Sequence, residues 1–266
     1  MTGDFIGRTA FAAEGDGPRV VLIHGLGLAR GMWDGQVAAL SRRFRTLRYD
    51  LLGHGESARP RGAFEMLHFV AQLDELLDGL ALDRCALVGF SLGGMIARAY
   101  AIARPDRVGA LIVLNSPHGR TEAERAAVRA RAEQAATDGP GATVEAALER
   151  WFTAGFAAAQ PEVLERVRCA ILANDPEVYP HAYRVLAEGD AALVEPIAEI
   201  RCPTLVLACE DDRGNSPAMA QAMAATIPGA KVEIVPGLRH MGLVEDPGAI
   251  NALIVPFLDE ALRAKP

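Results

Sequence analysis

Six short apolar segments recur along the chain, and each of them predicts a β-strand. They are rich in Val, Ile and Leu, and most lack the clean alternation of polar and apolar positions that marks a half-exposed strand. Apolar runs of this length are typical of parallel strands that are covered on both faces of a sheet. The segments are 19–25, 44–50, 85–91, 108–115, 203–210 and 230–236.

Helical patterns lie between these segments. One apolar stripe at helical spacing predicts a helix over 69–82, and it consists of Phe69, Leu73, Leu76, Leu77 and Leu80. A second helix is predicted over 92–105, directly after the third apolar segment. The alternation of strands and helices favours an α/β class with a parallel, doubly wound sheet.

The last two predicted helices carry their own boundary signals. In the segment 216–228, Ser216 is a good N-cap and Pro217 suits the first helical position. The pattern over 245–264 is helical as well, but it contains Pro256, which removes a backbone donor. We therefore expect that proline to kink or split the final helix.

The alternation stops between residues 119 and 195, where only helical patterns follow one another. Thr121 and Glu124 have the spacing of a capping box, and Pro161 is placed to begin another helix. We predict a helical insert over 119–195, called the cap below, within a core domain formed by 1–118 and 196–266.

Composition and charge narrow the range of partners. The chain has 266 residues with a formal net charge of −7, which argues against nucleic acid or an anionic membrane as a partner. We find neither an uninterrupted apolar stretch of about 18 residues nor the pattern of a secretory signal, so we expect a soluble, cytoplasmic protein. Its four cysteines form no C-x-x-C pair and have no histidines at metal spacing, so we expect buried free thiols and no metal.

The segment GFSLG over 89–93 carries the first candidate for chemistry. It has the form G-x-S-x-G, and it lies between a predicted strand and a predicted helix, which is the context that this motif requires. The turn from strand to helix is sharp, so the neighbours of Ser91 must lack bulk. We predict that Gly89 and Gly93 permit this turn and that Ser91 is a nucleophile at a helix N-terminus.

A serine nucleophile needs a base and an orienting carboxylate, which in this fold class follow in the order Ser, acid, His. His240 lies in a loop directly after a predicted strand, at the edge of the sheet where Ser91 emerges, so we predict it as the base. His118 precedes every candidate acid, and His181 lies in the cap. For the acid we prefer Asp212, with Asp211 as the alternative, because both follow the strand at 203–210.

Two backbone amides are candidates for stabilising the oxyanion that forms during acyl transfer. One is the amide of Leu92, directly after the nucleophile, and the other is the amide of Leu26, in the glycine-rich loop after the first apolar segment. We interpret the nearby His24 and His54 as structural histidines that satisfy loop backbone groups.

Together these segments resemble the signatures of the α/β-hydrolase family. The matching stretches are HGLG at 24–27, YDLLGHGES at 49–57, GFSLGG at 89–94, CEDD at 209–212 and RHMGLVEDP at 239–247. The resemblance implies an eight-stranded, mostly parallel sheet flanked by helices, with a helical cap over the site. It also implies a triad of Ser91, Asp212 and His240. Cys209 stands where the family commonly has glycine, which keeps Asp211 open as the acid.

The cap segment 149–179 resembles that of 3-oxoadipate enol-lactonases, which act in the degradation of aromatic compounds. This resemblance implies that Arg150 and Trp151 face the pocket, where the guanidinium binds a substrate carboxylate. The expected activity is hydrolysis of a small, carboxylated lactone or ester, with no cofactor.

Two other functions are compatible with the sequence. The first is hydrolysis of a C–C bond or of an amide or enamine-derived acid in a ring-degradation pathway. C–C hydrolases often carry methionine after the nucleophile, whereas Leu92 follows Ser91 here. The second is ligand binding without turnover on a hydrolase scaffold.

Overall fold

An eight-stranded sheet forms the centre of the protein. The computed structural model describes residues 4–263. In chain order the strands are β1 Asp4–Ile6, β2 Thr9–Glu14, β3 Arg19–Ile23, β4 Arg45–Tyr49, β5 Cys85–Phe90, β6 Val108–Leu114, β7 Thr204–Cys209 and β8 Lys231–Val235. Their spatial order is β1-β2-β4-β3-β5-β6-β7-β8, and β2 is antiparallel to both of its neighbours while all other pairs are parallel. The predicted fold, a mostly parallel eight-stranded sheet, is confirmed.

The six strands predicted from apolar segments are β3 to β8, and all six are present. In β3, Val20 and Leu22 belong to the apolar cluster on one face of the sheet, and Val21 and Ile23 belong to the cluster on the other. Both faces are covered, so polar and apolar residues have no reason to alternate. The pattern did not predict β1 and β2, which lie at one edge of the sheet and contain few branched apolar residues.

Eleven α-helices, counted within residues 4–263, surround the sheet. They are α1 Asp34–Leu40, α2 Met66–Gly79, α3 Leu92–Ala103, α4 Glu122–Asp138, α5 Val144–Trp151, α6 Ala154–Ala159, α7 Pro161–Leu172, α8 Tyr179–Glu188, α9 Pro217–Thr226, α10 Gly242–Glu245 and α11 Pro247–Arg263. Helices α2 and α3 pack on one face of the sheet, and α1 and α11 pack on the other.

The predicted helix starts are confirmed. The Thr121 hydroxyl accepts from the Glu124 amide, while the Thr121 amide donates to the Glu124 carboxylate at 2.7 Å. The Ser216 hydroxyl accepts from the Met219 amide, and Pro161 and Pro217 begin α7 and α9.

Of the two outcomes predicted for Pro256, a split of the helix is wrong, because α11 continues through it, and a kink stays a prediction. Pro256 lies on the exposed face of this helix, so the carbonyl that loses its partner is accessible to water. Ile254, Phe257 and Leu258 on the opposite face are buried against the sheet, and this packing holds the helix together across the proline.

Helices α4 to α8 all lie between β6 and β7 in the chain, where the described residues include no strand. Helix α4 packs on α8, and α5 packs on α7. The boundaries of the cap at 119 and 195 stay a prediction.

All four cysteines are free thiols, but they are not all buried. Cys85 and Cys209 are buried and Cys202 is half-buried, whereas Cys169 is exposed. The expectation of a buried thiol is wrong for Cys169 because α7 turns this position toward solvent. Within residues 4–263, no helix is both long and apolar enough to cross a bilayer.

Two buried histidines satisfy backbone groups of the loops that follow β3 and β4, as the sequence predicted. His24 accepts a hydrogen bond from the Leu51 amide through Nε2 at 2.9 Å, so its Nδ1 carries the proton and donates to the Gly25 carbonyl at 2.7 Å. His54 Nδ1 lies 3.0 Å from the Leu52 carbonyl oxygen. Both rings are buried and held neutral, since burial lowers the pKa of His24 and lowers that of His54 to about 3.

These histidines predict a fall in stability on mild acidification. Burial also lowers the pKa of His118 to about 4, whereas an unfolded histidine titrates near 6.5. As the pH falls through about 6.5, these histidines bind protons in the unfolded chain but not in the folded protein. The free energy of unfolding therefore falls by about 1 kcal/mol per buried histidine between pH 7 and 5.5. Urea titrations across this range measure the slope. His54→Asn removes one titrating group and should reduce the slope; an equal slope in this variant contradicts the assignment.

Candidate active site

The chain makes a strained turn at Ser91, between the end of β5 and the start of α3. Ser91 has φ +54° and ψ −116°, a conformation that is rare for a residue with a side chain. Its amide donates to the Leu114 carbonyl at 3.0 Å, and its carbonyl accepts from the Ser116 hydroxyl at 2.8 Å. These bonds to β6 and its following loop hold the serine in the strained geometry.

The turn also depends on two close backbone approaches. A Cβ at Gly89 would lie 2.3 Å from the Gly93 carbonyl oxygen, and a Cβ at Gly93 would lie 2.1 Å from the Ile23 carbonyl oxygen. Neither separation is possible for a real side chain, so both positions require glycine. Their absence of side chains lets the first turn of α3 pack directly against the ends of β5 and β3.

A carboxylate and an imidazole meet beside this turn. His240 Nδ1 lies 2.6 Å from Asp212 Oδ2, and both side chains are buried. The other carboxylate oxygen, Oδ1, accepts from the amides of Gly214 and Asn215 at 2.9 and 3.1 Å. The neighbouring Asp211 is exposed, so the structure brings Asp212 to the imidazole and leaves Asp211 in solvent.

Ser91, Asp212 and His240 line one cavity, and none of the three is more than 5 % exposed. Phe90 flanks the imidazole with ring centroids 4.7 Å apart. In the part of the chain that the structure describes, the Ser91 hydroxyl makes no hydrogen bond to His240. The arrangement therefore has an oriented acceptor and a hydroxyl that share a cavity, with the hydroxyl free to rotate.

The two predicted oxyanion donors belong to backbone segments beside Ser91. A Cβ at Gly25 would lie 3.2 Å from the Ser91 Cβ, and the next residue, Leu26, lines the cavity. Leu92 is the first residue of α3. Over residues 4–263 neither the Leu26 amide nor the Leu92 amide donates to a protein acceptor, so both remain available to an anion.

Arg150 and Trp151, at the end of α5, both line the cavity. Arg150 keeps much of its surface exposed, and partial burial lowers the pKa of its guanidinium. Trp151 contacts the imidazole of His240 with ring centroids 5.5 Å apart, and its carbonyl accepts from the Met241 amide at 3.0 Å. Trp151 thus also connects the cap to the loop that carries His240, which its predicted role did not include.

The other two histidines considered from the sequence do not join this group. Among the described residues, the lining of the cavity includes neither His118 nor His181. His118 is buried after β6, and His181 is half-buried on α8.

Sequence reasoning missed Asn115, which follows β6 with φ +45°. Its Nδ2 donates to the His240 carbonyl at 2.7 Å, and its Oδ1 accepts from the Cys209 amide at 2.8 Å. This buried side chain therefore connects the end of β7 with the loop of the imidazole. The signal that could have indicated it is its position, because Asn115 is the single polar residue of the apolar segment 108–115 and ends it. That segment follows the strand of the nucleophile in the chain.

Three further polar residues of the cavity wall, Arg120, Arg131 and Asn215, were also missed. Asn215 lies with Nδ2 3.4 Å from His240 Nδ1, and its Oδ1 accepts from Arg120 at 3.4 Å. Both arginines lie in polar, charged stretches where the sequence does not distinguish a cavity residue from a solvated one.

Comparisons with known proteins agree with this architecture. The sequence profile described as the alpha/beta hydrolase family matches residues 20–253. The chain is 31% identical to (E)-2-((N-methylformamido)methylene)succinate hydrolase of Acinetobacter baylyi, with 95% of each chain covered. Among solved structures it is similar to the enol-lactonase from Burkholderia xenovorans (TM-score 0.86, 30% identity, 94% of this chain and 96% of that chain). A malate-bound thermophilic esterase from Thermogutta terrifontis is also similar (TM-score 0.87, 32% identity, 95% and 93% covered). The chain belongs to the alpha/beta hydrolase family.

Proposed function

We propose that this protein is a serine hydrolase that cleaves a small, carboxylated lactone or ester through an acyl-enzyme. The observation that carries the proposal is the 2.6 Å contact between Asp212 and His240, in a cavity that also contains Ser91 at a strained turn. A carboxylate that accepts from Nδ1 leaves Nε2 as a base for a neighbouring hydroxyl.

In the first half of the reaction, the Ser91 oxygen attacks the acyl carbonyl while His240 Nε2 takes the hydroxyl proton. The carbonyl oxygen becomes an oxyanion, which the free amides of Leu26 and Leu92 stabilise. His240 then returns the proton to the leaving oxygen as the bond to the acyl carbon breaks. In a lactone the leaving oxygen and the acyl carbon belong to one ring, so the released hydroxyl group stays attached to the acyl group on Ser91.

In the second half, water attacks the acyl-enzyme and gives its proton to His240. The ester bond to Ser91 breaks, the serine oxygen regains a proton from His240, and the carboxylic acid leaves. Throughout both halves the Asp212 carboxylate stabilises the imidazolium form, with its second oxygen fixed by the amides of Gly214 and Asn215.

Two residues of the cap and the names of the relatives support the proposed substrate class. Arg150 contributes a guanidinium to the cavity wall, where it would bind a carboxylate, and Trp151 covers the imidazole. Relatives at about this similarity include one named 3-oxoadipate enol-lactonase 2, 30% identical over 239 residues. We therefore propose a substrate similar to 3-oxoadipate enol-lactone.

A second candidate is hydrolysis of an amide-type C–N bond in an enamine-derived acid. The observation that favours it is the 31% identity to a hydrolase whose name denotes an N-methylformamido compound. The same serine, base and oxyanion donors would serve, but His240 would protonate a nitrogen instead of an oxygen.

Asn115 is a positioning residue in this mechanism. It holds the His240 carbonyl and the Cys209 amide through one side chain, so it fixes the imidazole loop relative to the strand that precedes Asp212. Its positive φ suits asparagine, which adopts this conformation more readily than most residues.

The triad is tested by a pair of neighbouring carboxylates. We expect Ser91→Ala to lower kcat for a short-chain aryl ester by at least about a thousandfold, and Asp212→Asn to lower it about a hundredfold or more. Asp211→Asn makes the same chemical change on an exposed side chain and should stay within about twofold of wild type. Equal losses for the two aspartate variants, or wild-type turnover by Ser91→Ala, would refute the assignment.

The positioning role of Asn115 predicts a loss in kcat with little change in KM. Asn115→Asp keeps the acceptor for the Cys209 amide but replaces the donor to the His240 carbonyl with a repelling oxygen, so kcat should fall roughly tenfold or more. Asn251→Asp, on α11, is the matched control. Steady-state kinetics on folded protein separate the two constants. A variant with unchanged kcat, or one whose KM alone rises, contradicts this role.

A further inference from the structure

Three arginines on the cavity wall form a cluster of positive charge. Arg120 precedes α4, Arg131 lies within α4, and Arg150 lies at the end of α5. Partial burial lowers the pKa of Arg150, and the charge of Arg131 lowers it further. Burial and the charge of Arg131 also lower the pKa of Arg120. All three arginines line the same cavity, as does Tyr183, and Arg131 is the member that acts on each of the other two.

Arg120 is held in place by groups of the protein. Its guanidinium donates to the Leu186 carbonyl at 2.7 Å, and its backbone amide donates to Asp190 at 3.1 Å. The buried Asp190 carboxylate also lies 3.8 Å from the guanidinium, so one negative charge balances Arg120 in part. This charge is shared, because Asp190 also stabilises the buried Arg98.

Among the residues that the structure describes, Arg131 and Arg150 have no such partner. Within residues 4–263 no carboxylate lies within 4.0 Å of either guanidinium; Glu149 is close enough only to raise the pKa of Arg150 slightly. In the same described part of the chain, Asp212 is the one carboxylate on the cavity wall, and hydrogen bonds to His240 and to two amides occupy its oxygens.

We propose that the substrate is a dianion, whose two carboxylates are bound by the cluster of Arg120, Arg131 and Arg150. Asp190 balances Arg120 in part, whereas Arg131 and Arg150 have no carboxylate within 4.0 Å among residues 4–263, so these two positive charges lack a partner there. Like charges on one cavity wall repel one another, and a bound anion relieves that repulsion. A single carboxylate leaves one of the two charges unbalanced, whereas a dicarboxylate balances both.

This proposal rests on the proposed function for the reaction, but it makes a separate statement about binding. The overall charge of −7 excludes a generally basic surface as the origin of the cluster. The dianion proposal also refines the role of Arg150, because Arg131 contributes an equal positive charge to the same cluster. Lactonisation of 3-oxoadipate ties up one of its two carboxyl groups, so its enol-lactone carries a single carboxylate. The substrate proposed here is therefore a lactone or ester of that type with one carboxylate more, so that two are present before the scissile bond is cleaved.

Calorimetry on Ser91→Ala tests the dianion site without any turnover. The ligands are the straight-chain dicarboxylates from malonate to adipate, each compared with the half-amide of the same length, which differs by one charge. We expect at least one dicarboxylate to bind about tenfold or more tightly than its half-amide, because it adds charge-assisted hydrogen bonds to a free guanidinium. Equal affinities at every chain length would overturn the proposal.

Variants then assign the difference to the cluster. Arg131→Gln and Arg150→Gln should each reduce the preference for the dicarboxylate to about twofold or less. Arg129→Gln, on the same helix, removes one charge that pairs with Glu122 outside the cavity and should keep the preference. A preference that survives both cavity variants means that the second carboxylate binds elsewhere. Since binding is measured without chemistry, an inactive wild-type enzyme with a strong dicarboxylate preference refutes only the proposed reaction.

Discussion

The strained backbone at Ser91 is the constraint on which the rest of the structure depends. A residue held at φ +54° costs on the order of 1–3 kcal/mol, and it persists only where its surroundings fix it. Here β5 leads into the turn and α3 follows it. The Ser91 amide donates to the Leu114 carbonyl of β6, and the Ser116 hydroxyl donates to the Ser91 carbonyl, and these two bonds hold the turn. The two glycines beside it are required by the same geometry, since the turn forms only where backbones pack without a Cβ between them.

The remaining polar groups reach this turn from the ends of neighbouring parallel strands. The loops after β7 and β8 carry Asp212 and His240, and Asn115 connects them from the end of β6. Parallel strands align their carboxyl ends at one edge, so residues distant in the chain become neighbours there. The cap joins the same assembly through the bond between the Met241 amide and the Trp151 carbonyl, which couples the wall of the cavity to the position of the imidazole.

Much of this architecture could be predicted from local patterns. Apolar strands buried on both faces, the helix starts at Thr121 and Ser216, and the glycine-flanked Ser91 have signals within a few residues. Strands β1 and β2 lack that signal because their segments, DFI and TAFAAE, contain no run of branched apolar residues. The split that Pro256 predicted does not occur, because tertiary packing of α11 outweighs a local rule.

The missed site residues have a common physical reason. Asn115 acts through partners 94 and 125 residues away, so only the folded chain brings its hydrogen bonds together. Arg120 and Arg131 belong to a charged segment in which every arginine has similar neighbours, and the cavity alone distinguishes them from the solvated Arg129. Sequence therefore predicts chemistry that is tied to a backbone motif more readily than chemistry that depends on the cap.

The most direct test of the central claim is to trap the acyl group during turnover. Wild-type enzyme is quenched with acid while it hydrolyses an aryl ester, its thiols are alkylated, and its tryptic peptides are weighed. Residues 85–98 form one such peptide, in which Ser91 is the single hydroxyl side chain. We expect the acyl mass to appear on this peptide, on Ser91, and to disappear as substrate is exhausted. An acyl group found on another peptide, or sustained turnover in Ser91→Ala, would contradict it.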